Sequence, residues 1–122
     1  VYTIAKTFTF DAAHQLKGLP EGHKCGNMHG HTYTVTAAIQ GRRPDENGWL
    51  IDFTDFAPFK DFLDLYFDHK FLNDAVAFQT TSENLARYLF EKFIFLVKLP
   101  DGISMKYVRV SETPSTYAEY LW

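Results

Sequence analysis

Two stretches of strict two-residue alternation, residues 2–12 and 31–41, flank a polar connection and leave the chain few architectures to choose from. In the first, Tyr2, Ile4, Phe8, Phe10 and Ala12 fall on one side, with Thr3, Thr7, Thr9 and Asp11 on the other. In the second, Tyr33, Val35, Ala37 and Ile39 share a side. Successive side chains of a strand point to opposite faces, so each segment is expected to be a half-buried strand. The run "RRPDENG" closes the second strand as a turn.

The period then changes. Residues 55–67 place Phe56, Phe59, Leu63 and Tyr66 at steps of three and four, which predicts a helix. Asp55 is its expected N-cap, leaving Pro58 in the first turn, where a missing N–H costs little. A second helix is predicted over about 82–97, with Leu85, Leu89, Phe93 and Leu96 on one stripe and "LPDG" at 99–102 breaking it. "SMKYVRVSET" and "TYAEYLW" then predict two more strands around "TPS". The order ββααββ, with paired strands close in sequence, predicts an α+β fold. Its expected form is a four-stranded antiparallel sheet with two helices on one face.

The length of 122 residues predicts a single domain, 1–122. A net charge of −3 with no basic block argues against nucleic acid as a partner. No apolar run approaches the roughly 20 residues of a membrane span, and the alternating N-terminus is unlike a signal peptide. One cysteine excludes an intramolecular disulfide, which fits a cytoplasmic location. An anionic substrate would need a local positive cluster, for which Lys17, Lys24, Arg42 and Arg43 are the candidates.

Chemistry is concentrated in the connection, "PEGHKCGNMHGHTY", Pro20 to Tyr33, which holds three of the five histidines and the only cysteine. His29 and His31 are two apart at the start of a strand and project from one face. His14 shares the parity of Phe8, Phe10 and Ala12, so it leaves the preceding strand on its own buried face. If the two strands are antiparallel neighbours, three imidazoles converge. A lone His-x-His pair reads as ordinary surface histidines; a third at matching parity points to a metal. Three neutral histidines with one open position are the recurring composition of a catalytic zinc site, although imidazoles also suit copper, nickel and iron. Cys25 is either a fourth ligand, closing a structural site, or a nucleophile or base beside the metal. A lone cysteine is usually a small buried hydrophobe, but this one sits in a polar loop between His23, Lys24 and Gly26, which favours a chemical role. Asp68 and His69 close the first helix, where the histidine would ordinarily be read against the helix dipole. Thr80-x-x-Glu83 reads as a capping box for the second helix. Glu112, at a strand end, is uninformative by itself.

Taken together, "FDAAH", "PEGHKCGNMHGH", "FDHKFLND", "TTSENLARYLFE" and "VSET", in this order and spacing, resemble the 6-pyruvoyltetrahydropterin synthase family over nearly the whole chain. The Cys-x3-His-Gly-His spacing resembles in particular its bacterial queuosine-pathway branch, the 6-carboxy-5,6,7,8-tetrahydropterin synthases. The resemblance implies the tunnelling fold, in which three subunits close a β-barrel and two trimers stack into a homohexamer. It implies a zinc cofactor held by His14, His29 and His31, and a pterin triphosphate substrate. It implies catalytic roles for Cys25, Asp68 and His69 in proton transfer, with Cys25 and the Asp68–His69 pair coming from different subunits. Glu83 and Glu112 would bind the substrate, since a carboxylate can accept two parallel N–H bonds from the pterin edge. The implied reaction is a carbon–carbon lyase step giving 6-carboxytetrahydropterin. Arrest at 6-pyruvoyltetrahydropterin and a non-catalytic zinc module are the alternatives.

Overall fold

The computed structural model describes residues 1–121. Strands β1 (Tyr2–His14) and β2 (His29–Gly41) are followed by helix α1 (Ala57–Tyr66), a two-residue strand β3 (Lys70–Phe71) and a one-turn helix α2 (Leu72–Ala75). Helix α3 (Ser82–Leu96) and strands β4 (Ile103–Thr113) and β5 (Thr116–Leu121) complete the chain. The strands form one sheet in the order β3-β1-β2-β4-β5. All neighbours are antiparallel except β3, which pairs with Ala12 and Ala13 of β1 in parallel. The expected four antiparallel strands are present, and β3 is a fifth. Its two residues carry no periodic signal, because it is defined by the edge of β1 that it meets.

The alternation of β1 and β2 becomes the burial pattern. Phe8, Phe10, Ala12 and His14 of β1 are buried, as are Tyr33, Val35, Ala37 and Ile39 of β2. Met105, Val108 and Val110 of β4 extend the same face. Against it lie Phe59 and Leu63 of α1 and Leu85, Leu89 and Phe93 of α3, all buried. Aromatic edges lock the layers: Phe59 meets Phe8 at 5.4 Å and Phe93 at 5.1 Å between ring centroids. Each such ring contributes about 1.5–3 kcal/mol by leaving water.

Three local expectations are corrected. The first helical segment opens with a short 3-10 turn at Phe53–Phe56, capped by Asp52, whose carboxylate accepts from Thr54 N. Asp55 lies inside that turn and is not the cap. Pro58 does fall in the first turn of α1. Tyr66 is exposed, and the apolar stripe ends on buried Phe67 instead. At α3 the N-cap is Thr81, which accepts from Asn84 N, so the box begins one residue later than Thr80 and leaves Glu83 out of it.

Two irregularities interrupt the pairing of β4. Between Ala38 and Ile39 the β2–β4 register slips at Lys106. Between Val110↔Ala118 and Thr113↔Thr116, Ser111 and Glu112 of β4 stand against Tyr117 alone, a bulge that bends β4 at its end.

Candidate functional site

The antiparallel register of β1 and β2 sets His14 directly opposite His29, and Ala12 opposite His31. Their shared parity brings the three imidazoles together: ring centroids are 4.6 Å apart for His14–His29, 4.8 Å for His29–His31 and 5.1 Å for His14–His31. One nitrogen from each ring lies within 4.8 Å of the other two.

Protons show what this cluster needs. His14 Nδ1 faces the carbonyl oxygen of Thr80 at 2.9 Å, and His29 Nδ1 faces that of Asn27 at 2.7 Å. A carbonyl only accepts, so each Nδ1 carries the hydrogen and each neutral ring keeps a bare lone pair on Nε2. Those two Nε2 atoms stand 3.0 Å apart. Two lone pairs cannot bond each other, and a metal cation held by both would satisfy them. His31 Nε2 is buried with no hydrogen-bond partner among the described residues. Burial also pushes the His14 pKa below its ordinary value, with the Thr80 carbonyl and Glu112 opposing it, so the neutral ring is favoured. Tetrahedral zinc with bonds of about 2.0–2.1 Å would hold two ligand nitrogens roughly 3.3 Å apart, close to the 3.0 Å of the His14–His29 pair. The residues fit a metal ion, and the backbone carbonyls orient its ligands in the usual way.

Glu112 joins this group through the bulge in β4. Its carboxylate oxygens are 3.6 Å from His31 Nε2 and 3.9 Å from His14 Nε2. Beneath the rings, the Tyr33 hydroxyl is buried without a hydrogen-bond partner among the described residues, and burial pushes its pKa up, keeping it a neutral phenol. Glu83 is exposed in the first turn of α3, three residues beyond Thr80. Arg42 and Arg43 lie past the opposite end of β2, roughly 40 Å away at about 3.3 Å per residue. Within one chain they cannot serve a ligand at the histidines.

Asp68 and His69 do face each other, Nδ1 to Oδ2 at 3.0 Å, because they follow α1 in a turn in which His69 adopts φ +58°. Asp11 of β1 holds that turn. Its N–H donates to Asp68 Oδ1 at 3.0 Å, and its carbonyl accepts from His69 N at 2.6 Å. Thr32 of β2 donates to the Asp11 carboxylate in turn. The N–H of Asp11, then the His69 ring, holds the Asp68 carboxyl below its ordinary range. The pair sits on the outer edge of β1, with the His69 side chain 76% exposed. Cys25 lies in a 3-10 turn, Lys24–Gly26, half-buried. Its N–H donates to His23 Nδ1 at 3.1 Å, and its carbonyl accepts from Leu16 N at 3.0 Å. Among the described residues no hydrogen bond links Cys25 to Asp68 or His69. The roles of Asp11, Thr32, Asn27 and Thr80 at the site were not legible in the sequence, since Asn27 acts through its carbonyl and Asp11 largely through its main chain.

A sequence model described as 6-pyruvoyl tetrahydropterin synthase matches residues 3–121. A 6-carboxy-5,6,7,8-tetrahydropterin synthase of Haemophilus influenzae is 32% identical, over 98% of this chain and 99% of its own length. A putative enzyme of the same name from Archaeoglobus fulgidus is 33% identical, over 95% and 92%. The structure of Caenorhabditis elegans 6-pyruvoyl tetrahydropterin synthase superposes with a TM-score of 0.80 at 29% identity, covering 99% of this chain and 95% of that one. An uncharacterised protein from Wolinella succinogenes superposes with a TM-score of 0.86 at 21% identity, covering 98% and 97%, a likeness of fold. With its histidine cluster carried on the same α+β tunnelling fold, this chain belongs to the 6-pyruvoyl tetrahydropterin synthase family.

Proposed function

We propose that the protein is a zinc-dependent carbon–carbon lyase that converts 7,8-dihydroneopterin triphosphate and water to 6-carboxy-5,6,7,8-tetrahydropterin, acetaldehyde and triphosphate, in queuosine (7-deazaguanine) biosynthesis. The observation that carries the reading is the pair of facing, proton-free Nε2 atoms beside the orphaned Nε2 of His31. His14, His29 and His31 would hold zinc, which when bound supplies a Lewis acid for the oxygens of the substrate side chain. Glu112, one carboxylate from that centre, is suited to accept two parallel N–H bonds from the pterin edge, with Glu83 as a second acceptor. Cys25 would take and return a proton at the side-chain carbon, as thiolate and thiol in turn. His69, with Nδ1 turned to Asp68, has its Nε2 directed away and available for the companion transfer. The names of relatives covering nearly the whole chain support the 6-carboxy product.

A member of the same family is named for 6-pyruvoyl tetrahydropterin, so the discriminating measurement is product mass. Purified protein given 7,8-dihydroneopterin triphosphate should release acetaldehyde and 6-carboxytetrahydropterin, and a chelator should stop it. A 6-pyruvoyl product would correct the reading to triphosphate elimination without carbon–carbon cleavage. No turnover with zinc bound would leave a binding module.

A further inference from the structure

Beyond His14 the chain leaves β1, yet its polar groups stay paired on both edges. The Asn73 carboxamide accepts from Gln15 N at 2.9 Å and donates to Gln15 O at 2.8 Å. Two residues on, Gln79 repeats the pattern, accepting from Lys17 N at 3.1 Å and donating to Lys17 O at 2.7 Å. Leu16, between them, turns its N–H the other way, to the carbonyl of Cys25 at 3.0 Å. That alternation is the habit of an extended strand. The two carboxamides therefore take the place of a neighbouring strand, continuing the line that β3 begins opposite Ala12 and Ala13.

The far edge of this segment carries the cysteine turn. Besides the Leu16 bond, Gln15 Nε2 donates to Gly26 O at 2.8 Å. Both bonds grip the turn Lys24–Gly26, at the successive carbonyls of Cys25 and Gly26. Gln79 is itself tied to the start of α3, its carbonyl accepting from Thr81 N at 2.9 Å and Asn84 Nδ2 at 3.0 Å. The adjacent Thr80 holds His14. Residues 79–81 thus join the segment 15–17, the histidine cluster and α3 in three consecutive positions. A carboxamide accepts from an N–H with its oxygen and donates to a C=O with its nitrogen at the same time; an ionised carboxylate accepts alone.

We propose that Asn73 and Gln79 are positioning residues for Cys25: they hold residues 15–17 straight so that the opposite edge fixes the cysteine turn. This rests on the catalytic role proposed for Cys25. Neither carboxamide makes a hydrogen bond to Cys25 or to the three histidines.

The test uses Asn73→Asp and Gln79→Glu in the full-length, zinc-loaded protein. Each is nearly isosteric, keeps the acceptor for the N–H, and sets a carboxylate oxygen against a carbonyl oxygen. Hydrogen exchange at Leu16 reads the bond to Cys25 directly, and iodoacetamide reads access to the thiol; neither needs turnover. Leu16 exchange should accelerate about tenfold or more as that local opening becomes easier. Cys25 alkylation should change in step. Misplacement of a reacting group by about 1 Å costs on the order of 10²-fold, so kcat should fall about 10–100-fold, with zinc content unchanged and KM nearly so. Wild-type exchange and alkylation in both variants would overturn the proposal. So would a loosened Leu16 with unaltered Cys25 reactivity, or a loosened turn with normal kcat. If one variant fails to fold, the other is judged alone by the same criteria. Cys25→Ala is the separate control: full turnover there refutes the role of Cys25 itself, whatever the exchange at Leu16.

Discussion

At the scale of single residues, protons decide the site. The carbonyls of Thr80 and Asn27 fix the tautomers of His14 and His29 and strip both Nε2 atoms of hydrogen. His31→Ala should therefore lose stoichiometric zinc, measured by metal analysis, together with turnover. Cys25→Ala should keep zinc and fold while kcat drops about 10²–10⁴-fold, the worth of one general base. Loss of zinc in Cys25→Ala would make the cysteine a ligand. Asp68 offers a test by pH. Its folded pKa is depressed, so its contribution to stability is present above the unfolded carboxylate value of about 3.9 and disappears as pH falls through the lower folded value. The difference in Tm between wild type and Asp68→Asn should shrink as pH falls below about 4, through the depressed folded value. A difference that grows as pH falls below about 4 contradicts the sign.

Elements set directions that residues alone do not. The β4 bulge bends the strand where Glu112 reaches His14 and His31; the same carboxylate on a regular strand end would carry no such information. At α3, adjacent threonines divide two duties. Thr81 caps the helix and Thr80 turns inward to His14, its hydroxyl 3.1 Å from Nδ1. Thr81→Ala should cost about 1 kcal/mol, the usual value of an N-cap, with zinc affinity unchanged. Chemical denaturation and chelator competition separate the two effects; weakened zinc binding in that variant would show that cap and ligand support are not independent.

For the whole molecule, the geometry of one chain divides the apparatus. The histidines lie on the helix-covered face, whereas the Asp68–His69 pair is presented outward along the edge of β1. β3 covers only Ala12 and Ala13 of that edge, and β5 closes the other end of the sheet order with its outer side unpaired among the described residues. Such edges invite pairing, and ring closure between copies removes them without making a fibre. If Cys25 and the pair meet across subunits of a hexamer, then Cys25→Ala and His69→Ala proteins, each inactive alone, should complement when mixed. Independent assembly leaves about a quarter of interfaces with both halves intact, provided that subunits exchange. Proven mixed oligomers without activity would place the whole site in one chain. No helix among the described residues is long and apolar enough to cross a membrane.

What could be read from the letters was whatever parity controls. A side chain's direction on a strand is a local property, so Phe8, Phe10, Ala12, His14, His31 and Tyr33 could be assigned to one face before any contact was known. The helical stripes of Phe59, Leu63, Leu85, Leu89 and Phe93 were legible for the same reason. The rest depended on partners far away in sequence. Whether Thr80 or Thr81 caps α3 is decided by His14, 66 residues upstream of Thr80, which claims the first. Strand β3 exists because Ala12 and Ala13 offer an edge. The Asp68–His69 contact requires a left-handed turn, and the main chain of Asp11 supports it. Main-chain groups are the same at every position, so their use leaves no mark on residue type; only the folded chain shows which of them a histidine or a carboxylate has found.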